Sequence, residues 1–148
     1  MGITIAPLRA EDHAEWSELW AGYLAFYETE LDGAITQATF DRLIAGAGMF
    51  GAIARDDDGR AVGIVHWLTH LATWTEGTYC YLEDLFVARE HRGGEPGRAL
   101  FDAVYAAARE RGASKVYWHT QAYNGAARSL YDTVGQLTSF VVYEREPL

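Results

Sequence analysis

The sequence predicts one mixed α/β domain. Stretches of strand-type composition alternate with stretches whose apolar residues recur at helical spacing. A chain of 148 residues suits a single unit large enough for a real core. No internal repeat, linker or low-complexity segment divides it, so one domain is expected over residues 1–148.

Residues 3–8 alternate as a first strand that ends at the turn into Glu11 and Asp12. From residue 12 to about 31, Trp16, Leu19, Trp20, Tyr23, Leu24 and Tyr27 follow helical spacing and give an amphipathic helix with an aromatic face. The two tryptophans read as core. Tyr23, Phe26 and Tyr27 stand near the helix end, where core packing and pocket lining both fit. Residues 39–45 read as a short helix closed by Gly46 and Gly48. Residues 49–55 and 61–71 are strands joined by the hairpin turn Asp56-Asp57-Asp58-Gly59.

A loop containing Glu76-Gly77 leads to residues 79–87, which are apolar on both alternating faces, as in a strand covered on two sides. Glu83 and Asp84 sit in its middle, where a carboxylate is costly unless paired or used. Arg92, Gly93, Gly94, Gly97 and Arg98 follow, with Pro96 suited to the first turn of a helix. Exposed amides flanked by arginines at such a helix start form a natural anion site. Residues 96–111 continue as that helix, with Leu100, Val104, Ala107 and Ala108 inward and Asp102, Arg109 and Glu110 outward; Gly112 stops it. Residues 115–121 form a strand, 125–134 a short helix and 138–145 a last strand.

Composition narrows the function. Charges or glycines interrupt every apolar run before membrane-spanning length, and the N-terminus lacks the basic-then-apolar order of a signal peptide. Myristoylation at Gly2 is disfavoured because Ala6 stands where that motif wants Ser or Thr. Cys80 is the only cysteine, so no internal disulfide forms, and a cytoplasmic location is expected. Twelve basic residues against 21 acidic ones give a net charge of −9, which repels nucleic acid and suits a cationic small molecule or basic peptide. Solubility accounts for that charge equally well.

Several chemistries are excluded. His66 and His70 are four residues apart, but in a strand that separates them by roughly 13 Å, too far to share an ion. The glutamate of the helical zinc-protease motif is absent, and no metal is expected. Cys80 lies in no nucleophile motif, and no serine sits in a strand-to-helix elbow. The glycine-rich turn lacks both the Lys-Ser/Thr ending of a P-loop and the glycine spacing of a dinucleotide fold.

Two motifs carry a resemblance. Val87 through Leu100 resembles the cofactor motif of the GNAT superfamily of N-acetyltransferases, Arg/Gln-x-x-Gly-x-Gly/Ala opening a helix. Asn124-Gly-Ala-Ala-Arg128-Ser-Leu130-Tyr131, followed by Gly135, resembles that family's second signature, Asn-x-x-Ala-x-x-Leu-Tyr. The two stand in family order, with a helix and a strand between them. YLEDLFV, the tail FVVYER and Phe26-Tyr27-Glu28 look most like the polyamine and histone-type amine acetyltransferases, including spermidine/spermine N-acetyltransferase.

The resemblance implies a central mixed twisted sheet flanked by helices, with acetyl-CoA held where two parallel strands splay apart. It implies direct transfer of the acetyl group to a primary amine: a polyamine, an amino acid or a lysine side chain. Backbone groups of Leu85, Phe86 and Val87 would hold the pantetheine and acetyl group. The loop Gly93, Gly94, Glu95, Pro96, Gly97 and Arg98 would cradle the pyrophosphate, with Arg92 adding charge. Asn124 and Arg128 would orient the CoA arm. Glu83 is the candidate general base, directly or through a water, because apolar neighbours raise a carboxylate's pKa towards neutrality, against the plainer reading of a carboxylate tied to backbone or arginine. Tyr131 is implied as general acid, against the alternative of a plain core tyrosine, and Tyr27 and Glu28 as contacts of the amine. Asp84, expected on the opposite face from Glu83, binds a second positive charge or caps a neighbour. Glu95 departs from the family pattern, which wants glycine there. A homodimer is expected, with residues 140–145 pairing with or swapping into a neighbour. The competing expectation is a catalytically weak domain of this fold that senses acetyl-CoA or mediates assembly.

Overall fold

The computed structural model describes residues 2–148. Its elements run β1 (Thr4–Pro7), α1 (His13–Phe26), α2 (Gly33–Ala45), β2 (Phe50–Arg55), β3 (Ala61–Leu71), β4 (Thr78–Val87), α3 (Glu95–Glu110), β5 (Ala113–Tyr117) and α4 (Gly125–Val134). The strands form one sheet in the order β1-β2-β3-β4-β5. The first three pairings are antiparallel; short connections join β2 to β3 and β3 to β4, whereas α1 and α2 lie between β1 and β2. β4 and β5 are parallel, which needs a crossover, and α3 supplies it.

Each face of the sheet has its own core. On one, Val65, Cys80 and Leu82 pack with Leu100, Phe101 and Val104 of α3. On the other, Ile53 and Ile64 pack with Trp16, Leu19 and Trp20 of α1 and with Phe40 and Leu43 of α2. β3 and β4 lie between these layers, which is why β4 reads as apolar on both faces. This is the layered mixed sheet that the sequence led us to expect.

Element ends differ from the sequence reading in physically instructive ways. α1 stops at Phe26, five residues early. Thr29 N–H bonds the Leu24 carbonyl at 2.9 Å and Glu28 N–H the Ala25 carbonyl at 3.0 Å, closing a Schellman turn. Glu28 takes the left-handed position of that turn (φ 52°), a place usually given to glycine, so the sequence carried no stop signal. α2 starts six residues before the expected position. Asp32 caps it by accepting from Ala34 N–H at 2.9 Å, and a helix entered through Asp-Gly looks like a loop. β5 ends at Tyr117 rather than residue 121.

The expected strand over residues 138–145 does not form. Residues 136–148 adopt neither helix nor strand, and Phe140, Val141, Val142 and Tyr143 are exposed. A strand needs a partner edge, and this segment lies against none within the chain.

Candidate active site

The site begins with a break in strand register. His66 pairs with Asp84, but Trp67 pairs with Leu82, so Glu83 is an extra residue opposite no partner on β3. Such a β-bulge interrupts the alternation of side chains. Glu83 and Asp84 therefore share one neighbourhood instead of opposite faces: both charges act on Tyr23, and both side chains line a cavity of about 30 Å³ with His66 and Trp67. That volume holds one water. Burial, and then the charge of Asp84, push the Glu83 carboxyl above the ordinary glutamate value, while His119 and His66 oppose the shift.

α1 forms one wall. Trp16 stacks on Trp20 (5.6 Å between ring centroids), Trp20 on Tyr23 (5.3 Å), and Tyr23 meets Tyr27 edge-on at 5.0 Å. Burial, and then the Asp84 charge, raise both the Tyr23 and Tyr27 phenols. The aromatic face of α1 thus does both jobs left open by the sequence: its inner half is core and its outer half faces the carboxylates. Glu28 is exposed just beyond. β5 contributes the far side, where Tyr81 meets Tyr117 (4.9 Å) and its hydroxyl lies 3.2 Å from His119 Nδ1. Burial and then Glu83 push Tyr81 up to about 12.

β4 and β5 separate beside these groups. Their ladder ends at the Tyr81–Tyr117 pair, so from Leu82 through Leu85, Phe86 and Val87 the β5-facing edge of β4 is open. Tyr131 of α4 is half-buried, edge-on to Phe101 and Trp118 at 5.7 Å each. Burial, followed by the Tyr27 hydroxyl, raises its phenol. The buried Thr120 hydroxyl, just past the end of β5, faces the Tyr131 phenol and opposes that rise.

Below the open edge, α3 starts at Glu95 after Gly94, which provides no side-chain cap. The first-turn amides of this helix are left for solvent or an anion. Gly93 takes the left-handed conformation (φ 82°), so the need for glycine falls there and not at Glu95. Glu95 is exposed at the first helical position, where a negative side chain suits the dipole. Arg92 Nε donates to the Val87 carbonyl at 2.9 Å, with its guanidinium over Phe86 (5.2 Å) and Phe26 (5.4 Å). Pro96 and Gly97 are buried, and a Cβ on Gly97 would stand 2.9 Å from Leu130 Cδ2, so glycine lets α4 approach α3. Arg98 ties the same two helices by donating to Thr133 Oγ1 at 3.0 Å. Asn124 caps α4 by accepting from Ala127 N–H, and Arg128 Nη1 donates to the Ala122 carbonyl at 2.7 Å.

Sequence reasoning missed His66. It is 4% exposed, accepts from the Trp16 indole N–H at Nε2 (3.0 Å) and faces Asp84 Oδ2 from Nδ1 (2.9 Å). Its pairing with a carboxylate eighteen residues on follows from strand register, which no local pattern reveals. His70 belongs elsewhere, between the Leu71 carbonyl and the Tyr117 hydroxyl, each at 2.8 Å. Among the described residues no group of three or more His, Cys, Asp or Glu side chains converges as for a metal, and no helix is long and apolar enough to cross a membrane.

The model of the acetyltransferase (GNAT) family matches residues 9–135. The D-amino-acid N-acetyltransferase HPA3 of Saccharomyces cerevisiae is 35% identical over 145 residues, covering 97% of this chain and 90% of that protein. Among solved structures, the ribosomal-protein-alanine N-acetyltransferase of Brucella melitensis superposes with a TM-score of 0.81 at 23% identity, over 99% of each chain. AAC(6')-Iy, in complex with a CoA bisubstrate analogue, superposes with a TM-score of 0.86 at 16% identity over the whole of both chains.

Proposed function

The chain belongs to the acetyltransferase (GNAT) family and is an acetyl-CoA-dependent N-acetyltransferase; from that premise we propose that its acceptor is a positively charged primary amine, seated on Glu83 and Asp84. The observation that carries this reading is the β4 bulge, which gathers two carboxylates beside the open edge of that strand.

The residues present fit acetyl-CoA. The uncapped start of α3, with Arg92 and Arg98 close by, suits a pyrophosphate. In the proposed arrangement the loop from Gly93 through Pro96 and Gly97 to Arg98 cradles the phosphates and exposed Glu95 points away from them. Leu85, Phe86 and Val87 offer backbone groups to the pantetheine arm. Asn124 and Arg128 fix the start of α4 and so the cleft wall on that side. When bound, acetyl-CoA supplies the acetyl group as a thioester.

An amine of pKa ~10.4 is neutral in only about one molecule in two thousand at pH 7, so attack needs a proton acceptor. Glu83 is that base in this reading, directly or through one water, because its raised pKa brings it towards the working range. Asp84, Tyr27 and Glu28 bind the ammonium and its neighbouring charge. The Tyr131 hydroxyl, kept protonated by burial, holds the proton the departing thiolate takes up.

Among amine classes, the carboxylate pair favours polyamines and lysine-type amines. The D-amino-acid acetyltransferase relative supports an amino acid as the second reading. Ranking kcat/KM for a triamine, a lysine peptide and a D-amino acid tests this. The polycation should lead, and a D-amino acid preferred tenfold over both would reverse the assignment. We propose further that the protein works as a homodimer in which exposed Phe140–Tyr143 pair with a second copy, because a run of apolar side chains left in water favours association. A monomeric mass by light scattering refutes it.

A further inference from the structure

We propose that Trp16 and His66 are positioning residues that hold the Asp84 carboxylate in place for the acceptor ammonium. The inference rests on the reading of Asp84 as an amine contact. Trp16 is fully buried in α1, and its indole N–H is only a donor, so His66 Nε2 must accept at their 3.0 Å contact. That fixes the proton on Nδ1, which donates to Asp84 Oδ2 at 2.9 Å. One carboxylate oxygen is thereby tied down, and the other is left for the acceptor.

The arrangement does more than satisfy a buried histidine. His66 stands opposite Asp84 at the point where the bulge has loosened the ladder, where backbone pairing alone aims a side chain poorly. It also packs against Trp16 and Trp20 (6.0 and 5.4 Å between centroids), the inner end of the ring stack that continues to Tyr23 and Tyr27. A single imidazole therefore sets both the carboxylate and the aromatic wall that faces it. An off-target carboxylate weakens binding of the charged acceptor more than it affects a separate nucleotide site.

The test combines three variants with one spectrum. Trp16→Phe keeps an aromatic six-membered ring but removes the donor, and should raise KM for the amine roughly tenfold or more while KM for acetyl-CoA stays within about twofold. His66→Ala should behave likewise or worse. His66→Gln offers a carbonyl to Trp16 and an amide N–H to Asp84, and should recover most of the lost amine affinity. Equal losses in His66→Gln and His66→Ala, or equal rises in both KM values, would mean the pair only supports the core and would overturn the proposal. In nitrogen-15 spectra of the wild-type imidazole the proton must lie on Nδ1; a proton on Nε2 breaks the relay outright. That spectrum needs no substrate, so failure of the relay is distinguishable from failure of the acceptor assignment, which would appear as wild-type protein preferring a D-amino acid tenfold over both the triamine and the lysine peptide.

Discussion

Replacing Glu83 with glutamine keeps the size of the side chain and removes its ability to accept a proton. Glu83 is the extra residue of the β4 bulge, and burial together with the Asp84 charge raises its pKa above the ordinary glutamate value. The sign follows from that direction. The base form is populated above the raised pKa, so wild-type kcat/KM climbs as Glu83 loses its proton, at a pH above the usual glutamate range. Glu83→Gln lacks this limb and depends on amine that is already neutral. Its rate should climb about tenfold per pH unit towards pH ~10. At pH 7 the loss expected for a general base is roughly 10²- to 10⁴-fold, and the gap should narrow steadily with alkalinity. Stopped assays of acetylated amine from pH 5.5 to 10 read both effects. A profile parallel to wild type, or a loss of less than about threefold at pH 7, removes Glu83 as base.

Other outcomes follow from the same geometry. Tyr131→Phe keeps the ring contacts with Phe101 and Trp118, so Tm should hardly move while kcat falls roughly a hundredfold; an unchanged kcat rejects the acid assignment. Glu95→Gly removes a negative charge from the start of α3 and should tighten acetyl-CoA about two- to fivefold by calorimetry, less at high salt. No heat of binding with either form would sink the proposed pyrophosphate site. Gly22→Ala puts a Cβ 2.8 Å from Phe86 Cζ, where the ring is wedged against α1. Overpacking of this kind costs about 1–3 kcal/mol and should lower Tm by about 3–10 °C, which calorimetric scanning would detect.

Most of the architecture was legible because its signals are local. The Asp56–Gly59 hairpin, the two-faced apolar pattern of β4, Pro96 near the head of α3 and the exact span of α4 all came from composition and spacing. What escaped depends on distant partners. Glu83 and Asp84 look like neighbours on opposite faces until the register with β3 shows the bulge. His66 looks like an isolated histidine until α1 and β4 close around it. Residues 138–145 carry strand composition, but composition cannot supply the edge a strand needs, and the folded chain leaves them unpaired. Glu28, a non-glycine residue in a left-handed turn, hid the end of α1.

The central claim is that the bulged carboxylate pair of β4 handles an amine that takes the acetyl group of acetyl-CoA. Thiol release, followed across a panel of polyamines, amino acids and lysine peptides, tests it most directly when wild type is run beside the Glu83→Gln/Asp84→Asn double variant. Release should require an amine, and in the double variant it should collapse at neutral pH while acetyl-CoA binding persists. Release that ignores the amine, or that the double variant sustains at the wild-type rate, would contradict the account.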